Sequence, residues 1–141
     1  MTSPIQKRPV TNPEDMNVAF ADAYNSNNID NLLALYEQNS ILINPNGGKE
    51  QGINHLRFTL ENLLQLQGTM VSKNIYCIPF ENIALLRAHF ILHTVDNDGK
   101  SVQLQGHTSE IVRMQTDGSW LYIVDHPFGA DSLKDHPIFS S

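Results

Sequence analysis

Apolar positions in the first half of the chain recur every three or four residues, and in the second half every two. Met16, Phe20 and Tyr24 fall on one helical face. Thr11 with Glu14 as a capping box, Pro13 near the first turn and the acidic Glu14 and Asp15 predict the start of that helix, and the Asn- and Ser-rich stretch 25–28 ends it. Ile29, Leu32, Leu33 and Tyr36 repeat the spacing in a shorter second helix. A strand at 41–44 follows. A third helix over 53–66 places Leu56, Leu60, Leu63 and Leu64 inward and stops at Gly68. From Met70 the period becomes two. Ala84, Leu86, Ala88, Phe90 and Leu92 alternate with Leu85, Arg87, His89, Ile91 and His93, so one face of this strand belongs to the core. The turn at 96–99, a strand over 101–115, the turn at 116–119 and a last strand over 120–125 complete a meander.

Helix, short helix, strand and helix, followed by long antiparallel strands, predict an α+β fold in which a curved sheet wraps the long N-terminal helix. The result is a cone with one open end, and that opening is a natural pocket. The strand Ile41, Leu42, Ile43 breaks at Asn44-Pro45 and a glycine pair, so Asn44 reads either as a turn device or as the pocket's rim. We expect one domain over residues 1–141 with its core at about 13–130 and loosely held tails, 137–139 being able to cap the mouth.

Composition narrows the partners. With 40% hydrophobic and 17% charged residues the chain suits a globular protein, and a formal charge of −6 with nine Lys and Arg argues against nucleic acid. No apolar run spans a bilayer and the first ten residues hold no apolar leader, so a cytoplasmic protein without a membrane partner is expected. Cys77, the single cysteine, reads as a small buried apolar residue rather than a reactive thiol. His89 and His93 are four apart on a strand, not a helix, so no metal site is expected. Gly47-Gly48-Lys49 lacks the rest of a phosphate-binding loop, and nothing demands a cofactor.

Two stretches carry a resemblance: NSNNIDNLLALYEQNSILINPNGGKEQGINHLRFTL and GHTSEIVRMQTDGSWLYIVDHPFG, the latter closing on Asp-x-Pro-Phe-Gly. The chain resembles the nuclear transport factor 2-like superfamily over about residues 13 to 130, in its SnoaL-like and ketosteroid-isomerase-homologue branch. That resemblance implies a cystatin-like α+β roll, a small hydrophobic ligand and a homodimer formed through the outer sheet face, with Arg87, His89 and His93 at or near the interface. In the isomerases a carboxylate ends the first strand and removes a proton, while hydroxyl and neutral carboxyl donors stabilise the enolate. Here the strand ends in Asn44, an amide that cannot serve as a base, and the isomerase tyrosine falls at Phe20. The second oxyanion-hole acid falls at Glu110.

Strand alternation aims Thr108, Glu110 and Val112 to one side. Glu110 is therefore either a desolvated acid in the pocket or an exposed partner of Arg113 or Lys73. Asp125 beside His126 is a second acid–base candidate, with a turn or capping role as its alternative. Asn44, Phe20, Tyr24, Tyr36, Thr108, His107 and His126 are the substrate-binding candidates. The two functional expectations are a small-molecule enzyme of isomerase, cyclase or hydratase type acting on an apolar carbonyl compound, and a non-catalytic ligand-binding or dimerisation module of the same fold.

Overall fold

The computed structural model describes residues 9–133, and the predicted capping segment 137–139 lies outside them. Helix α1 (Met16–Asn25) is entered through a 3-10 turn, Pro13–Asp15. The Thr11–Glu14 capping box does not form: Asn12 and Asp15 hold the cap positions, neither with a side-chain bond. Pro13 supplies the fixed φ that a helical first turn needs. Asn27, at φ 56°, ends the run, and Asn25 clamps the end of α1 to the sheet through both backbone polar groups of Met70, donating to its carbonyl at 2.9 Å and accepting from its N–H at 2.8 Å.

Asn28 caps the short α2 (Ile29–Leu33) by accepting from Asp30 N–H at 2.9 Å. The helical spacing through Tyr36 misleads: Tyr36 opens strand β1 (Tyr36–Ile43), which starts five residues earlier than its apolar core suggests because Glu37, Gln38 and Asn39 hide it. A second short strand, β2 (Lys49–Gln51), lies in the expected glycine link and pairs antiparallel with β1. Helix α3 (Ile53–Leu64) buries Leu56 and Leu60. Gly52 precedes it at φ 94° and ψ 143°, a conformation essentially reserved for glycine, with no heavy atom within 4 Å of a would-be Cβ. Gly52→Ala is therefore a pure backbone substitution, and chemical denaturation should show a loss of about 1–3 kcal/mol at unchanged m-value.

Strands β3 (Thr69–Phe80), β4 (Ile83–Val95), β5 (Ser101–His107), β6 (Ser109–Met114) and β7 (Trp120–His126) complete a seven-stranded sheet ordered β2-β1-β7-β6-β4-β3, with β5 also on β4. It curves without closing. The meander is antiparallel as expected, while β1 and β7 run parallel, which makes the sheet mixed. The strand expected over 101–115 is split at Thr108, yet both halves keep one register on β4, His89 facing His107 and Leu86 facing Glu110. At the split, Thr108 Oγ1 accepts the Ala88 N–H at 2.8 Å in place of a backbone carbonyl. The core is lined by Met16, Leu32, Leu56, Leu86, Leu92, Val112 and Tyr122, each under 2% exposed.

Candidate functional site

A cavity of about 310 Å³ opens between α1, α3 and the concave sheet face. Phe20, Leu60, Leu63, Met70, Phe90, Leu92 and Phe128 make its walls, and the exposed Pro45, Asn62, Leu66 and Leu104 belong to its mouth. At its buried end the polar groups converge: Glu110 and Asp125 are 3% and 5% exposed. They face each other directly across β6 and β7, so their side chains rise as neighbours from one sheet face.

Each acid has its own donors. Glu110 Oε1 accepts from Thr108 Oγ1 at 2.8 Å and from Asn17 Nδ2 at 3.1 Å. Asp125 Oδ2 accepts from the Tyr36 hydroxyl at 2.5 Å. Among the described residues no hydrogen bond reaches Glu110 Oε2 or Asp125 Oδ1, which leaves one oxygen of each acid for a bound molecule. Burial raises the Glu110 carboxyl to about 8, helped by the Asp125 charge and opposed by the Thr108 and Asn17 bonds. Burial raises Asp125 to about 6, with the Tyr36 bond pulling the other way. Both carboxyls are raised, Glu110 the further, so the pair keeps at neutral pH a proton that exposed carboxyls release. Burial also pushes the Tyr36 and Tyr122 hydroxyls well above their ordinary range, so both stay neutral donors.

Of the residues the sequence singles out, the cavity gathers Phe20, Asn44, Thr108, Glu110 and Asp125. Tyr36 stands one layer behind, gripping Asp125. Asn44 answers to both of its readings: its Oδ1 closes the 44–48 turn on Gly48 N–H at 2.8 Å while the residue lines the cavity. Glu110 is not an exposed partner of Arg113, which instead binds Glu37 at 2.7 Å. Three candidates lie elsewhere. Tyr24 donates to the Leu63 carbonyl at 2.9 Å, fastening α1 to α3. His107 stacks on His89 at 4.4 Å, on the outer sheet face, because its neighbour Thr108 takes the inward position. His126 is turned outward by the alternation that buries Asp125.

Asn17 and Tyr122 were not among those candidates and belong to the site. Asn17 sits three residues before Phe20 on the same face of α1, a helical spacing that was available to be read. Tyr122 was hidden by a bulge: β7 slips by a residue against β6 between Val124 and Tyr122, so Tyr122 and Asp125, three apart, share a face that strict alternation assigns to residue 123. Among the described residues no group of three or more His, Cys, Asp or Glu is placed to hold a metal, and no helix is long and apolar enough to cross a membrane.

No protein-family model matches the chain, nor does any curated protein. Solved structures do. A ketosteroid isomerase-like protein from Erwinia carotovora atroseptica superposes with a TM-score of 0.70 at 16% identity, over 80% of this chain and 89% of that one. A nuclear transport factor 2-like superfamily protein from Salmonella enterica serovar Typhimurium gives 0.67 at 13% identity, over 80% and 84%. The chain has the nuclear transport factor 2-like fold. At such identities the likeness is one of architecture, and in the nuclear transport factor 2-like frame the chemistry has to be argued from the acids at the cavity's inner end.

Proposed function

We propose that this chain is an acid–base enzyme of the isomerase, cyclase or hydratase type, acting on an uncharged, largely apolar compound with a carbonyl oxygen. The observation that carries the reading is the cross-strand pair Glu110–Asp125, two buried acids raised to different degrees, each with one oxygen unbonded among the described residues, at the end of an apolar cavity. Neutral Glu110 hydrogen-bonds the substrate carbonyl. The Asp125 carboxylate removes a proton from the adjacent carbon, the C–H electron pair moves into a C=C bond, and the carbonyl π electrons settle on the oxygen that Glu110 stabilises. Returning the proton to another carbon of the conjugated system isomerises the substrate. Among the described lining residues there is no Lys, Arg or His, so a carboxylate or phosphate substrate would meet no counter-charge from them. Asn44 offers amide hydrogen bonds near the mouth.

The test is solvent exchange. A panel of apolar cyclic ketones incubated with the protein in D2O should include members whose α-protons are replaced, followed by NMR, at a rate that Glu110→Gln and Asp125→Asn both reduce. Ketones that bind yet exchange no faster than in buffer would instead support a ligand-binding module without turnover.

The same reading includes a homodimer. On the outer sheet face Tyr76, Ile78, Phe80, Ile83 and Leu85 are 37–68% exposed and contiguous, Ile78 pairing with Leu85 and Phe80 with Ile83. A contiguous exposed apolar patch of this kind suits a protein–protein contact, and Arg87, His89 and His93 lie beside it on the same strand face. Leu85→Glu should convert a dimer to a monomer in sedimentation equilibrium while leaving the circular dichroism spectrum unchanged. A wild-type monomer at tens of micromolar would remove the dimer from the proposal.

A further inference from the structure

We propose that Tyr122 is a positioning residue: acting through Asn17, it decides which oxygen of Glu110 carries the acid proton, and so whether the cavity is offered a donor or an acceptor. The inference rests on the reading of Glu110 as a neutral acid.

An amide has a donor end and an acceptor end, and a buried asparagine must match both. The Tyr122 hydroxyl, 1% exposed with its residue, has one proton and two acceptors in reach, Asn17 Oδ1 at 2.5 Å and the Met16 carbonyl at 3.2 Å. Donation along the shorter bond fixes Asn17 with its oxygen toward Tyr122 and its NH2 toward Glu110 Oε1, at 3.1 Å. Thr108 is fixed as well, because its oxygen accepts from Ala88 N–H and its proton goes to the same Glu110 Oε1. An oxygen that already receives two donated bonds is a poor seat for a proton of its own. The acid proton therefore sits on Oε2, the oxygen with no partner among the described residues, where a bound carbonyl receives it.

The reversed amide is also self-consistent, which is why Tyr122 matters. If the tyrosine proton goes to Met16 or is deleted, Asn17 can turn its NH2 toward position 122 and its oxygen toward Glu110. The acid proton is then drawn to Oε1 to satisfy that amide oxygen, and Oε2 becomes a bare carbonyl oxygen that repels a substrate carbonyl. The same atoms then present the opposite polarity to the cavity. Asn17 is 5% exposed, so water does not arbitrate between the two states.

Infrared spectroscopy of the ligand-free protein at about pH 6, below the Glu110 value of about 8, reads the two states directly. The neutral carboxyl C=O band is identified by its loss in Glu110→Gln. In the wild type that C=O is Oε1 with two donors and absorbs at low frequency; in Tyr122→Phe it becomes the unbonded Oε2 and the band moves up. With 2-acetylnaphthalene as a neutral ketone probe, Tyr122→Phe should bind about fivefold more weakly and lose the downward shift of the probe's ketone stretch. On the unaltered protein, the ¹⁵N resonance of the Asn17 side-chain amide should follow the titration of Glu110, a measurement that stands even if Tyr122→Phe fails to fold. An unmoved carboxyl band in folded Tyr122→Phe, or an Asn17 amide indifferent to that titration, overturns the positioning role alone. Absence of any Glu110-dependent neutral carboxyl band in the wild type overturns the functional reading beneath it.

Discussion

Asp125→Asn should lower the exchange rate of a responsive ketone by about 10²–10⁴-fold while changing its affinity by less than about threefold. The substitution is nearly isosteric, and the new carboxamide oxygen still accepts from the Tyr36 hydroxyl that now bonds Asp125 at 2.5 Å. What it removes is the acid of the pair that burial raises less, to about 6, and with it the proposed carboxylate base. Binding depends on the apolar walls and the Glu110 donor, both retained, so the loss should fall on kcat and not on KM. A second readout accompanies it. The Asp125 charge is one of the causes that raise Glu110, so the neutral Glu110 carboxyl should titrate at lower pH in the variant. Full activity in Asp125→Asn would remove it as the base.

The second large effect is on stability. Glu110 holds its proton up to about 8 in the fold against an ordinary value of 4.5, and Asp125 up to about 6 against 3.8. Between those limits the native state carries protons that the unfolded chain has released. The contribution is fully present below the unfolded values and is lost as pH rises through the folded ones. The protein should therefore become less stable from about pH 4.5 to 8, by up to about 1.4 kcal/mol per pH unit for each proton held, which lowers Tm by on the order of 10–20 °C across the window. Glu37 and Asp117, lowered by their Arg113 and Ser119 bonds, have the opposite sign and act at more acid pH. Glu110→Gln keeps an acceptor for Thr108 and Asn17 and should flatten the slope above pH 6. A wild-type Tm that is flat or rising between pH 6 and 8 would mean that Glu110 is already ionised in the fold.

The fold was legible wherever one face of an element is buried and its partner lies near in sequence. The β4 alternation places Ala84, Leu86, Ala88 and Leu92 at 1% exposure or less, and Leu56 and Leu60 mark the inner face of α3. It was less legible where pairing is remote or the strand is polar: β1 is masked by Glu37 to Asn39, and its parallel partner lies more than eighty residues away. For the site, alternation through Thr108, Glu110 and Val112 gives the inward side because β6 is regular there. The same rule fails at Tyr122, where the bulge re-aims the side chain, and at Tyr36, whose helical spacing with Ile29, Leu32 and Leu33 is accidental. Tyr24 and the histidines failed for another reason. A side chain able to do chemistry is equally able to fasten two elements, and only the partner atom tells which.

The parallel pairing of β1 with β7 also bears on the order of folding. Tyr36 must meet Tyr122, and Leu42 must meet Asp125, across nearly the whole intervening chain, whereas β3 and β4 meet through a two-residue turn. Loop closure is therefore inexpensive for the β3–β4 hairpin and costly for the β1–β7 seam. The hairpin is expected to condense early, and a nascent chain cannot seal the seam until its last strand has left the ribosome. Both acids and their donors straddle late-formed contacts, Asn17 to Glu110 and Tyr36 to Asp125, so the chemistry is assembled at the final step of the fold's construction.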